Sequence, residues 1–200
     1  MWALCKEDAM RNDWPSTHRV FLSPQFSVDL PMLDLGGGFY IYSFDMTGEA
    51  EWNRVAAAEL AKKLAPYDFD GFVTVQTKSC GLAQAISAGY PRYLELRKSR
   101  KAFMIEPKGV TVESITTHGQ QELWIGKEKY SAFQGKRLCF LDDVVSTGGT
   151  IEAVLALAKE IGIEIAVIAC ALTEGERRSE YKGIPLVSLD HIPLPGKLED

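Results

Sequence analysis

Hydrophobic positions change character along this chain near residue 47. Before it, short apolar pieces are broken by Pro15, Pro24, Pro31 and the run Gly36-Gly37-Gly38, which predicts an irregular segment with one strand, FYIYSF at 39–44. After it, Trp52, Val55, Ala56, Leu60 and Leu64 recur at helical spacing, with Thr47 placed to cap the run and Pro66 to stop it. GFVTVQ at 71–76 is a continuous apolar strand, followed by a short helix over 81–88 and a strand YLELR at 93–97. VTVESITT at 110–117 and ELWIG at 122–126 flank a polar turn and predict a hairpin or two strands.

The second half is more regular. RLCFLDD at 137–143 is an apolar strand that ends in two acids, and a Gly-rich turn leads from it into a helix over 149–161. Ala153, Val154, Leu157, Ala158 and Ile161 form one face of that helix. IEIAVIACAL at 163–172 and IPLVSL at 184–189 are two further strands. Strands without period-2 polarity, alternating with helices, predict a mainly parallel α/β sheet with both faces covered. The chain divides into an N-terminal extension (1–46), a core (47–190) and a tail (191–200), the two ends forming a small subdomain over the sheet.

Charge and cysteine content narrow the classes. Twenty-two basic residues against 27 acidic ones leave a net charge of −5, so there is no global footprint for nucleic acid and any anion site is local. Cys5, Cys80, Cys139 and Cys170 stand far apart with no paired spacing, which argues against structural zinc and for thiols in a reducing compartment. No apolar run approaches a membrane span and the start has no leader-like segment, so a soluble cytoplasmic protein is expected.

The candidate chemistry concentrates in Leu138-Cys139-Phe140-Leu141-Asp142-Asp143-Val144-Val145-Ser146-Thr147-Gly148-Gly149-Thr150. A buried strand delivers two carboxylates to its C-terminal end, where open α/β sheets bind ligands. The small hydroxylated turn that follows opens a helix, so its backbone N–H groups and hydroxyls suit a phosphate monoester. The carboxylates repel phosphate and suit a sugar diol, in charge-assisted bonds of about 1.5–3 kcal/mol each. No lysine follows the glycines as in a Walker A loop, and neither G-x-G-x-x-G nor a G-x-S-x-G elbow is present.

This segment resembles the phosphoribosyl-pyrophosphate (PRPP) signature of type I phosphoribosyltransferases, and the likeness extends over about residues 47–190, most of all to adenine and xanthine phosphoribosyltransferases. The resemblance implies that fold, with a hood built from the terminal segments. It implies transfer of the 5-phosphoribosyl group of PRPP to a purine-type base, with pyrophosphate released. Val145, Ser146, Thr147, Gly148, Gly149 and Thr150 would hold the 5-phosphate, and Asp142 and Asp143 the diol. Thr77-Lys78-Ser79-Cys80-Gly81 matches the pyrophosphate loop, although Lys78 replaces a usual acid and Cys80 a usual arginine. Cys80 is either a reactive thiol at a helix start or a small residue that allows close approach.

Arg97-Lys98-Ser99-Arg100-Lys101 resembles the family's R-K-x-x-K, with Arg97 and Lys98 for pyrophosphate and Arg100, Lys101 and Lys108 in a loop that closes over substrate. Asp142, Asp143, Arg97 and Lys101 would then carry turnover. Ser114-Ile115-Thr116-Thr117 resembles the S-x-T-T strand, with His118 after it a candidate base and His18 and His191 weaker ones. Phe39, Tyr40 and Leu189 are the candidates for the nucleobase pocket. Mg²⁺ would be bound mainly through PRPP, with Asp142 and Asp143 acting through water or the diol. A homodimer is the family expectation. The competing reading is a PRPP-sensing regulator of the same fold without catalysis.

Overall fold

The computed structural model describes residues 14–114 and 119–197. In chain order the first elements are β1 (Thr17–Ser23), β2 (Phe26–Asp34), β3 (Phe39–Tyr42), α1 (Ala50–Leu64), β4 (Gly71–Val75), α2 (Cys80–Ile86) and β5 (Leu94–Leu96). There follow β6 (Lys108–Ser114), β7 (Gly119–Ile125), α3 (Lys127–Tyr130), β8 (Arg137–Val145) and α4 (Gly149–Ile161). β9 (Glu164–Glu174), β10 (Glu180–Tyr181), β11 (Ile184–Ile192) and β12 (Gly196–Lys197) complete the chain.

The central sheet has six strands in the order β10-β11-β9-β8-β4-β5, parallel throughout except for β10, which runs antiparallel to β11. Every residue of β4 is buried, and β8 and β9 are buried along almost their whole length. Successive side chains along β8 enter opposite cores: Leu138 and Phe140 pack with α4, whereas Cys139 and Leu141 pack with α1 and α2. This double burial is why the strands read as unbroken apolar runs. On α4, Ile151, Val154, Leu157 and Ile161 are essentially inaccessible, each worth roughly 1.5–3 kcal/mol of burial. The expected α/β architecture, a mainly parallel sheet covered on both faces, is the one found.

The N-terminal segment differs from its irregular reading. β1 and β2 form an antiparallel hairpin, and β3 and β12 extend it to a four-stranded sheet in the order β1-β2-β3-β12. Val20, Leu22, Val28 and Leu30 point inward by simple alternation. Proline does not prevent this. Pro24 lies in the hairpin turn, and Pro31 gives its carbonyl to the Ser43 N–H at 2.9 Å just past the end of β3, so its missing N–H costs the ladder one bond at its edge.

Two smaller differences concern where elements begin. Thr47 does not cap α1: its N–H is bound by Asp45 Oδ1 at 3.0 Å, and the helix starts at Ala50 with Glu49 as a cap that makes no side-chain bond. The buried Asn53 fixes the entry instead, donating from Nδ2 to the carbonyls of Met46 and Glu49 at 2.9 and 2.7 Å. Lys108 belongs to the first strand of the β6–β7 hairpin, paired with Ile125, and not to the preceding basic loop.

Candidate active site

β4 and β8 are adjacent and parallel, with Phe72 opposite Cys139 and Thr74 opposite Leu141, so the loops leaving their C-terminal ends lie side by side. Asp142 and Asp143 arrive there with only 9% and 8% of their surface exposed. Beyond Val145 the chain turns into α4 through Gly148, whose φ of +91° is a left-handed conformation that a side chain disfavours. The first intrahelical bond runs from Glu152 N to Gly148 O at 3.0 Å, which leaves the N–H groups just before it at the positive end of a 13-residue helix. A cleft of about 140 Å³ opens over them, lined by Asp142, Val144–Ile151 and Gln121. Val145, Ser146, Thr147, Gly148, Gly149 and Thr150 therefore share one cleft. Gln121, on β7, is not among the sequence candidates, because nothing in a polar stretch flags the residue that the hairpin lays across a distant loop.

The carboxylates differ in environment. Asp142 Oδ1 accepts the Asp143 N–H at 3.0 Å and lies 3.4 Å from Ser79 Oγ. Burial first, then the charge of Asp143, pushes the Asp142 carboxyl well above the usual range, so it tends to retain a proton and is not purely an acceptor. Asp143 Oδ2 faces Lys78 Nζ at 4.0 Å. The unusual lysine thus stands against the acidic pair.

In the loop after β4, the Gln76–Thr77 peptide is cis. Thr77 and Lys78 are exposed, whereas the Ser79 side chain is buried, its hydroxyl 2.8 Å from Thr74 Oγ1 and 3.2 Å from Val75 O. Thr74 Oγ1 in turn donates to Leu141 O at 2.9 Å, tying this loop to the middle of β8. Cys80 opens α2, and burial, then the neighbouring Glu95, pushes its thiol up to about 11, the opposite direction from the depressed value of a reactive thiol at a helix start. Gly81 lies inside α2, where a Cβ would come within 2.9 Å of the Asn53 side chain, so it serves helix packing.

Arg97, just after β5, is pinned by backbone bonds with Trp124 at 3.0 and 2.8 Å. Its Nη1 donates to Gln76 Oε1 at 3.3 Å, its guanidinium lies 5.5 Å above the Phe103 ring, and Gln76 Nε2 donates to Glu95. Arg97 is thereby joined to the start of the β4 loop. Lys98, Arg100, Lys101 and Lys108 are exposed and form no ion pair among the described residues. A larger cavity of about 370 Å³ beside Arg97, walled by Tyr93, Glu95, Phe103 and Glu128 among others, shares no residue with the cleft.

The remaining candidates are scattered. His118, with Ile115–Thr117, lies outside the described residues. Phe39 and Tyr40 sit on β3, paired with β12, and Leu189 packs against the core on the α1 side, so none of the three lines the cleft at the start of α4. His191 is buried at the end of β11 with Nδ1 3.0 Å from Thr173 Oγ1, and burial followed by Arg177 lowers its pKa. The backbone carbonyl of His191 is 3.4 Å from His18 Nε2, and Asp190 accepts the Phe21 N–H at 2.8 Å, so this corner joins the N-terminal sheet to the core.

Comparison with known proteins identifies the family and the fold. Residues 48–193 match the phosphoribosyl transferase domain, and the chain belongs to that family. Similar sequences include a hypoxanthine/guanine phosphoribosyltransferase of Methanobacterium lacus, 34% identical over 129 residues that cover 64% of each chain. One from Methanothermobacter thermautotrophicus is 28% identical over 160 residues, 76% of this chain and 78% of that one. The match spans less than two thirds of the length of the Methanobacterium lacus and Methanococcus voltae relatives, 64% and 59% respectively. Among solved structures, adenine phosphoribosyltransferase of Thermoanaerobacter pseudethanolicus superposes with a TM-score of 0.66 at 20% identity, over 81% of this chain and 95% of that one, which establishes the shared fold.

Proposed function

We propose that this protein transfers the 5-phosphoribosyl group of PRPP to a purine-type base and releases pyrophosphate. The observation that carries the reading is the single cleft in which a left-handed Gly148, the hydroxyls of residues 146–150 and the buried Asp142 stand together, with Asp143 next to it in sequence and facing Lys78. The 5-phosphate sits on the N–H groups at the start of α4, and Asp142 and Asp143 take the ribose diol. As the bond from C1 to pyrophosphate lengthens and the base nitrogen approaches from the opposite side, positive charge develops on the sugar ring. The neighbouring Asp143 favours that charge, while Lys78, Arg97, Lys98 and Lys101 favour the departing anion, so rate comes from positioning and fixed electrostatics.

No cluster of three or more His, Cys, Asp or Glu side chains able to hold a metal occurs among the described residues. The acidic pair fits Mg²⁺ that arrives with PRPP, since that ion is commonly held by one or two carboxylates plus substrate phosphates. When bound it would offset charge on the pyrophosphate. Phe39, Tyr40 and Leu189 remain the proposal for the base pocket, in a hood formed by β1–β3 and β12 over the core of residues 47–190. A cytoplasmic setting fits the free thiols of Cys80, Cys139 and Cys170 and, among the described residues, the absence of a helix long and apolar enough to cross a membrane. A homodimer fits the apolar side chains of Phe103 and Ile105 in the segment after β5, which are 67% and 59% exposed.

The test is mass spectrometry of nucleotide products, with parallel pyrophosphate release, from Mg²⁺-PRPP and a panel of purine and pyrimidine bases. A purine monophosphate formed only with its base is the expected result. PRPP binding without product from any base would overturn the catalytic reading in favour of a sensor, and no PRPP binding would overturn the cradle itself.

A further inference from the structure

The phosphate cradle has a back wall that the reaction itself does not require. β10 and β11 form a tight hairpin with Tyr181 opposite Ile184, so Lys182 and Gly183 are the two turn residues. Their φ values of +51° and +79° are both left-handed, as in a type I′ turn. Asparagine or glycine is the usual occupant of the first of these positions, and a lysine held there is a local strain that persists where the surroundings make use of it. The use is visible in the side chain, since Lys182 Nζ lies 2.7 and 2.8 Å from the two oxygens of Glu152. Glu152 is in the first turn of α4, the helix whose N-terminus forms the cradle.

Tyr181 meets the cradle directly. A Cβ at Gly148 would fall 2.7 Å from Cζ and Oη of the Tyr181 ring, so the ring occupies the volume that any larger residue would need. The Tyr181 hydroxyl donates to Glu152 Oε1 at 2.6 Å, and the Arg178 guanidinium lies 5.9 Å from the ring centroid on its face. The Lys182 and Tyr181 hydrogen bonds lower the pKa of Glu152 and keep it ionised. An ionised carboxylate there, left uncompensated, would add negative potential within one Debye length of the site meant for phosphate.

Resting on the assignment of residues 145–150 to the 5-phosphate, we propose that the Tyr181–Lys182 hairpin is a positioning device for the cradle. The Tyr181 ring seats Gly148 in its left-handed form, and Lys182 cancels the charge of Glu152 so that the start of α4 keeps its affinity for the anion. Neither residue touches the reacting atoms.

Calorimetric binding of Mg²⁺-PRPP, with the melting temperature of each variant alongside, tests the proposal. Lys182→Gln, which removes the charge and keeps the turn, is expected to weaken binding about threefold, the scale of one charge beside a helix terminus. The Glu152→Gln/Lys182→Gln double variant is expected to return affinity to within about twofold of the parent, because the uncompensated carboxylate has gone. Tyr181→Phe should bind nearly as the parent does, and Tyr181→Ala about tenfold more weakly, the span of a mispositioned contact. Double-variant affinity no better than that of Lys182→Gln, or variants that lower melting temperature without changing affinity, would reduce the hairpin to a structural role and overturn the proposal. Thr147→Val is the reference: if it leaves PRPP affinity unchanged the cradle assignment fails, whereas weaker binding there with inert hairpin variants sinks the hairpin alone.

Discussion

Two loops leave the sheet side by side, one after β8 and one after β4, and both open a helix. The first is built around its backbone: Gly148 adopts φ +91°, the following helix is 13 residues long, and all of residues 145–150 face one cleft. The second is built around side chains. Its helix has seven residues, its serine is buried against Thr74, its cysteine faces Glu95, and Gly81 packs on Asn53. Similar topology therefore gives two differently built loops, and the two anion sites proposed on them differ in kind. A backbone cradle constrains the sequence residue by residue, whereas a loop that would rely on cations, its own Lys78 and the neighbouring Arg97, leaves most of its other positions free.

Paired glycine substitutions break this contrast most directly. Gly148→Ala forces a side chain into the left-handed region and against Tyr181, costs of about 1–2 and 1–3 kcal/mol. PRPP affinity should fall by roughly a hundredfold, each 1.4 kcal/mol being a factor of ten. Gly81→Ala pushes only on Asn53, and better helix propensity offsets part of the crowding, so melting should drop by about 2–4 °C. PRPP affinity in that variant should stay near the parent value by calorimetry. Equal losses of affinity at the two positions would abolish the distinction between a cradle glycine and a packing glycine.

The acidic pair sharpens the comparison next. Asp143→Asn keeps the shape beside Lys78 but removes a charge, and turnover is expected to fall at least about tenfold with the fold intact. Asp142→Asn should cost less, because burial already favours the neutral form of that carboxyl and the amide imitates it. Steady-state kinetics with melting curves for both variants checks the ranking. Parent-like turnover in Asp143→Asn would remove the diol assignment, and a larger loss at Asp142 would reverse the roles of the pair.

These differences also explain what can be read from the residues alone. The stretch from Leu138 to Thr150 is legible because a doubly buried strand, a left-handed turn and a helix start that opens on a cleft each restrict residue type, and the restrictions fall next to one another. Arg97 is legible from its place after β5, but its hold on Gln76 is not, since 21 positions separate them. The N-terminal strands are obscured by two prolines that count as breakers anywhere except at a turn and a ladder edge. Tyr181 and Gln121 give no signal, because each approaches the cradle through a hairpin whose docking depends on three-dimensional packing.

The smallest effect tests the β4 loop at Cys80. With its thiol raised to about 11 from an ordinary 9.0, the thiolate fraction at neutral pH is about a hundredfold lower than in an unperturbed cysteine. Raising the pKa of an acid postpones its ionisation, so alkylation by iodoacetamide should be slow at pH 7.5 and keep rising about tenfold per pH unit past 9. Peptide mapping by mass spectrometry isolates Cys80 from Cys5 and from the fully buried Cys139 and Cys170. Glu95→Gln removes the second contributor to the shift and should speed the reaction modestly, while burial keeps it below that of a free thiol. Rapid alkylation of the parent protein at neutral pH would mean that the cations at this loop outweigh burial and Glu95. Cys80 would then be part of the anion site, and the two loops would be more alike than their side chains suggest.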